Sequence, residues 1–192
     1  LKNYLHVLRK LKTDFIKYPV LDVGCGRGEW LSLLKDEGIH ALGVDLNSIW
    51  AEELKTKGLS VTRADAISYL CQTKEESLSA VSGFHIAEHL PFASLMRLLD
   101  ESLRVLTPGG VLILETPNPE NLLVGSLNFY TDPTHRNPLP PHTLAFLAEQ
   151  RGFRDVEVIR FSPLQADRSH AIPELQEFIE WSKLRYHTLL KM

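Results

Sequence analysis

The chain has 192 residues, enough for one domain with a sizeable core, and its 44% hydrophobic and 23% charged residues exclude a disordered polypeptide. A net charge of −3 excludes a global basic field, so no nucleic-acid partner is expected. The cysteines are Cys25 and Cys71, which excludes a disulfide framework; no apolar run is long enough for a transmembrane segment, and the expected location is cytoplasmic.

Leu1, Tyr4, Leu5, Leu8, Leu11 and Phe15 recur at helical spacing and predict an amphipathic helix over residues 1–17, ended by Pro19. The chain opens at Leu1 without Met, and the expectation is a piece of a longer protein. Val20 to Val23 reads as a buried strand that runs into Gly24, Gly26 and Gly28. A helix follows over 29–37, with Gly38 after its last turn. Such a loop lets a ligand approach the backbone, because glycine has no Cβ. The spacing is GxGxG, so neither the dinucleotide GxGxxG nor the P-loop pattern fits, and a Rossmann oxidoreductase is disfavoured.

Ala41 to Asp45 is a second strand, and a helix over 48–57 follows with Asn47 or Ser48 as N-cap. Asp45 stands where doubly wound folds place a carboxylate on ribose hydroxyls. Leu59 to Ala64 is a third strand, followed by Asp65 and by a weak helix and a charged turn over 66–76. Phe84-His85-Ile86 ends a fourth apolar run, Phe92 to Val105 is a strong helix, and Val111 to Glu115 is a fifth strand behind a Pro-Gly-Gly turn. A Pro-rich stretch over 117–141 separates it from a helix over 141–151 and a sixth strand over 153–161. A last amphipathic helix is predicted over 173–190. The alternation implies an α/β fold, doubly wound around a mostly parallel sheet with helices on both faces.

Val-Leu-Asp-Val-Gly-Cys-Gly-Arg-Gly at 20–28, with Asp45, Asp65 and the Pro-Gly-Gly turn at these spacings, resembles the class I S-adenosylmethionine (SAM) dependent methyltransferases. The resemblance covers residues 18–161 and implies a Rossmann-like single domain over 1–192, with SAM as cofactor and S-adenosylhomocysteine as product. It implies a cofactor site of Asp22, Gly24, Cys25, Gly26, Gly28, Asp45, Leu46, Asp65, Ala66 and His85, in which Asp65 reads the adenine amino group. Asp65 also suits an N-cap, and the two roles are compatible. The family usually carries a seventh strand, antiparallel beside the fifth and sixth; none is evident after Phe161.

The segments FHIAEHLPF, ILETPNPEN and NFYTDPTHRNPLPP are similar to a bacterial subgroup that includes the methyltransferase domain of O-antigen chain-terminating enzymes. This resemblance implies polysaccharide biosynthesis, with a glycan or lipid-linked glycan as acceptor and residues 117–141 as an ordered substrate loop. The expected reaction is direct methyl transfer to oxygen. A sugar hydroxyl must lose its proton, which makes His89 the first candidate base and Glu88 the second, with His135 and Tyr130 as further catalytic candidates. A phosphate acceptor needs no base, and Arg136, His135 and Arg27 would hold it, with Asn128 also on the substrate side.

His85-Ile-Ala-Glu88-His89 matches the bare H-x-x-E-H zinc-protease pattern, which needs one helix; the strand before His85 and Pro91 after it argue against that geometry. Metal-dependent small-RNA 2′-O-methyltransferases use a similar Glu-x-x-Glu-His stretch and a later His; this chain has His85 at the first acidic position, and the resemblance implies a metal role for His85, Glu88 and His89, with His135 as a candidate for the later His. The negative charge argues against RNA, and no metal is expected. A non-catalytic SAM-binding module is the remaining alternative.

Overall fold

Val20–Val23 (β1) is buried along its whole length and sits between two parallel neighbours, Ala41–Asp45 (β2) and Leu78–Phe84 (β4). The structure is a computed structural model that describes residues 1–11, 14, 15, 17–161 and 187–191. Ser60–Arg63 (β3), Leu106–Pro117 (β5), Glu157–Phe161 (β6) and His187–Lys191 (β7) complete a sheet in the order β3-β2-β1-β4-β5-β7-β6. The pairs among β1 to β5 are parallel, and β7 runs antiparallel between β5 and β6. Strand order reverses between β1 and β4. In doubly wound sheets the crevice at that reversal, beyond the carboxyl ends of the strands, is where ligands bind.

The period-two alternation of the strands divides the core. Leu21, Val23, Val81, Leu112 and Leu114 face one way and pack with Leu95, Leu98 and Leu99 of Phe92–Val105 (α5). Val20, Ala80, Val111 and Ile113 face the other way. There they meet Tyr4, Leu5, Val7 and Leu8 of Lys2–Arg9 (α1), with Trp30 and Leu34 of Glu29–Asp36 (α2). The N-terminal helix is thus a cover of the sheet. It ends at Arg9, well before residue 17, and Asp14 begins a separate turn in which its carbonyl accepts from the Tyr18 N–H and its carboxylate from the Lys17 N–H.

Ser48–Thr56 (α3) and Ala66–Gln72 (α4) form where expected, capped by Asn47 and Asp65. The Pro108-Gly109-Gly110 turn lies inside β5, beside an irregularity in its pairing with β4. The Pro-rich stretch contains a short helix, Leu122–Ser126 (α6), and a 3-10 turn over Asn128–Thr131 before Pro141–Gln150 (α7). No described helix is long and apolar enough to cross a membrane.

Two expectations at the C-terminal end need correction. The seventh strand, not evident in the sequence, is β7. The helix expected over 173–190 is strand at 187–190, and its part over 173–186 lies outside the described residues. The reason is tertiary: β7 has sheet partners on both sides, and two ladders outweigh a local helical pattern. Leu189 stands opposite both Glu115 and Ile159. A proline there removes a ladder donor in an internal strand, so Leu189→Pro is expected to cost about 1–3 kcal/mol in urea melts.

Candidate active site

Beyond β1 the chain must turn sharply into α2, and the turn is made of backbone. The Gly24 and Cys25 N–H groups both donate to the Val44 carbonyl, at 2.8 and 3.1 Å. The Gly26 N–H donates to Asp45 Oδ2 at 2.8 Å, and the Asn47 N–H donates to Asp45 Oδ1 at 2.8 Å. Gly28 starts α2 with φ +74°, and a Cβ there would meet Leu54 Cδ2 at 2.6 Å. Both its conformation and its packing require glycine.

This loop forms one wall of a cleft of about 600 Å³. Of the residues expected to bind the cofactor, Asp22, Gly24, Cys25, Gly26 and His85 line it. Arg27, expected on the substrate side, also lines it, ion-paired to Glu29 at 3.0 Å. Gly28, Asp45, Leu46, Asp65 and Ala66 stand outside that lining. Asp45 is one hydrogen bond behind Gly26, and its acceptor capacity exceeds the N–H groups it holds. Leu46 is 67% exposed. Asp65 accepts from the Ser68 N–H at 2.8 Å and caps α4, whose first residue is Ala66.

The cleft also has walls that the sequence reading did not include: Trp30, Trp50, Phe84 and Glu115. Glu115 carried a usable signal, because it ends an apolar run as Asp45 does. Its carboxylate accepts from the Tyr4 hydroxyl. Burial pushes the Glu115 carboxyl up to about 7. Asp22, 2% exposed, is also pushed up to about 7 by burial, although Ser82 Oγ donates to it at 2.7 Å. Burial raises the Cys25 thiol to about 12, which removes it as a nucleophile near neutral pH.

A second group sits beside the cleft, and His85 joins the two. His85 holds φ +54°, a conformation that non-glycine residues adopt at some cost. Its Nδ1 is 3.2 Å from Glu88 Oε1 and its Nε2 is 3.3 Å from Glu115 Oε1. Glu88 is fully buried in a 3-10 turn, Ala87–His89, and not in the continuous helix that a zinc protease needs. The turn stops there because Pro91 holds the residue before it, Leu90, in extended backbone (φ −81°, ψ 138°).

The expected catalytic residues partly converge. The His89 and His135 rings lie 4.7 Å apart between centroids, and His135 lies 4.6 Å from Phe129. The Glu88 carbonyl accepts from the Arg136 and Asn137 N–H groups, which ties the Pro-rich segment to the turn. Tyr130 is 64% exposed and packs its ring edgewise on Phe129 at 5.4 Å. Asn128 is half-buried, and its carbonyl accepts from the Thr131 hydroxyl. The Arg136 side chain is exposed. Arg27 and Arg136 therefore do not form a ready anion clamp, since one is ion-paired and the other faces solvent.

Residues 4–158 match a family described as a methyltransferase domain. The fold superposes with a TM-score of 0.80 on the crystal structure of a SAM dependent methyltransferase from Archaeoglobus fulgidus, 31% identical, covering 100% of this chain and 92% of that one. A probable S-adenosylmethionine-dependent methyltransferase of Mycolicibacterium smegmatis is 28% identical over 134 residues, 70% of this chain and 51% of that protein. A ubiquinone biosynthesis O-methyltransferase of Hahella chejuensis is 30% identical over 133 residues, 62% of this chain and 55% of that protein. The chain spans about half the length of these curated relatives.

Asp22 and Glu115 carry folded-state pKa values above the ordinary 3.8 and 4.5. The native state therefore holds protons that the unfolded chain releases, and these groups lower stability as pH rises from about 4 to about 7. Asp22→Asn keeps an acceptor for Ser82 and removes one such charge. Relative to wild type it is expected to gain stability between pH 5 and pH 8, as read from urea melts at the two values.

Proposed function

The chain belongs to the methyltransferase-domain family of SAM-dependent enzymes, and from that premise we propose that it transfers the methyl group of SAM to a hydroxyl oxygen. The observation that carries this reading is His85, which lines the cleft and bonds Glu88 of the histidine cluster. Methyl donor and proton acceptor thereby become neighbours.

The sulfonium makes the methyl carbon electrophilic, so the protein's main task is to hold an acceptor oxygen in line behind it. Such positioning is worth up to about 7–11 kcal/mol in favourable cases. Asp45 takes the ribose hydroxyls, Asp65 faces the adenine, and Trp30, Trp50 and Phe84 supply the apolar walls. The acceptor oxygen bonds to the methyl carbon as the carbon–sulfur bond breaks, and S-adenosylhomocysteine leaves. The hydroxyl proton passes to the His89 ring and then to solvent.

An oxygen acceptor is favoured by the name of the ubiquinone biosynthesis relative. A hydroxyl is favoured over phosphate because Arg27 is paired with Glu29 and Arg136 faces solvent. A lipid-linked glycan suits the segment beside the cluster, where Leu122, Leu123, Leu127 and Tyr130 are exposed. Apolar side chains on a substrate-side segment fit an acceptor that arrives on a lipid.

Calorimetric titration with S-adenosylhomocysteine is expected to show one site per chain, weakened at least tenfold in Asp45→Ala. His89→Ala is expected to retain that affinity and to lose about 10²-fold in transfer rate to glycan hydroxyl ends. Absence of binding to wild type would overturn the reading. Binding without turnover on glycan or phenolic hydroxyls would favour a non-catalytic module.

A further inference from the structure

We propose that Glu88, His89 and His135 form a divalent-metal site for a borderline ion such as zinc, placed to ligate the acceptor oxygen. One carboxylate oxygen of Glu88 and one ring nitrogen of each histidine lie within 4.8 Å of one another. That proximity is joined by three further observations.

The first is the proton on His135. Its Nδ1 is 2.6 Å from the Phe129 carbonyl, and a carbonyl only accepts, so Nδ1 carries the hydrogen. The second is the proton on His89. Its Nδ1 is 2.9 Å from Thr134 Oγ1, and that hydroxyl spends its own hydrogen on Asp132 Oδ1 at 2.6 Å. The hydroxyl therefore accepts from His89, and Nδ1 again carries the hydrogen. Both rings are left with an open Nε2 lone pair. Asp132 Oδ2, 3.9 Å from His135 Nε2, is beyond hydrogen-bond reach. A histidine whose Nδ1–H is held by an oxygen is the usual orientation of a metal ligand.

The third observation is an orphan. Glu88 is fully buried; His85 engages Oε1, and Oε2 has no hydrogen-bond partner. An unpartnered carboxylate oxygen in a dry environment is costly, and a cation removes that cost. Two imidazoles and one carboxylate suit zinc or a neighbouring first-row ion better than magnesium or calcium, which prefer all-oxygen shells. Small ring movements bring the three onto an ion at about 2.0–2.2 Å. Three protein ligands leave an open position for a substrate oxygen, the arrangement of catalytic rather than structural zinc.

The role rests on the proposed transfer reaction and changes one part of it. With an ion bound, His89 would be a ligand, and the ion would make the ligated hydroxyl a stronger acid, so that its proton goes directly to solvent. The alkoxide oxygen then forms the bond to the methyl carbon, and the carbon–sulfur electron pair stays on sulfur. The ion's oxidation state does not change.

The test is titration of the chelator-stripped protein with Zn²⁺ by calorimetry and with Co²⁺ by visible absorption, each beside a titration with S-adenosylhomocysteine. One ion per chain is expected, with affinity reduced at least 100-fold in Glu88→Gln, His89→Ala and His135→Ala and unchanged in His40→Ala, which alters an exposed histidine elsewhere. S-adenosylhomocysteine affinity reports folding of each variant, and the partly exposed His89 serves if the buried Glu88 variant does not fold. No ion binding by wild type that binds S-adenosylhomocysteine overturns the metal and leaves the transfer reading intact. Ion binding that survives all three cluster substitutions overturns it as well. Ion binding without S-adenosylhomocysteine binding upholds the metal site and overturns the transfer reading.

Discussion

One carboxylate organises the glycine-loop side of this fold. Asp45 receives the Gly26 N–H on one oxygen and the Asn47 N–H on the other. The first bond sets the glycine loop that leads into α2. The second sets the turn in which Asn47 accepts from Ile49 and Trp50 and starts α3. Two strand-to-helix turns thus share one anchor at the carboxyl end of β2. Backbone donors fill only part of a carboxylate's capacity, so the group that builds the site can also serve a ligand.

Beside this backbone-made cleft lies a side-chain-made cluster, and the two depend on one strained residue. A positive φ at a non-glycine residue costs about 1–3 kcal/mol and persists where its surroundings hold it. At His85 the backbone N–H donates to the Glu115 carbonyl, and the ring is held between Glu88 and Glu115. The twist directs the chain from β4 into the turn that buries Glu88. Through the Glu88 carbonyl it also fixes the start of the Arg136-Asn137 segment.

What could be read from the sequence was what local chemistry controls. The glycine loop, the Asn47 and Asp65 caps, α5 and the refusal of Ala87–His89 to form a continuous helix all follow from residues within a turn or two. The residues converging at His89 and His135 were named from a resemblance, and the fold joins segments more than forty positions apart. The missing parts were non-local. Glu115 becomes a cleft wall only because β5 lies beside β4. The strand at 187–191 has a weak local pattern, and its conformation depends on two edges supplied from elsewhere.

The same strand has a consequence for the order of assembly. In the sheet, β6 touches only β7, and β7 is the later of the two in the chain. Strands β1 to β5, with the glycine loop and the Glu88 turn, can pair as they leave the ribosome, each waiting only for a near neighbour. The strand β6 emerges with no place to pair and must wait for a segment that also has to find β5 across a long stretch of chain. That closure carries a high loop entropy and comes late. The half of the sheet that carries the glycine loop and the Glu88 turn is thereby separated in time from the half that closes its far edge.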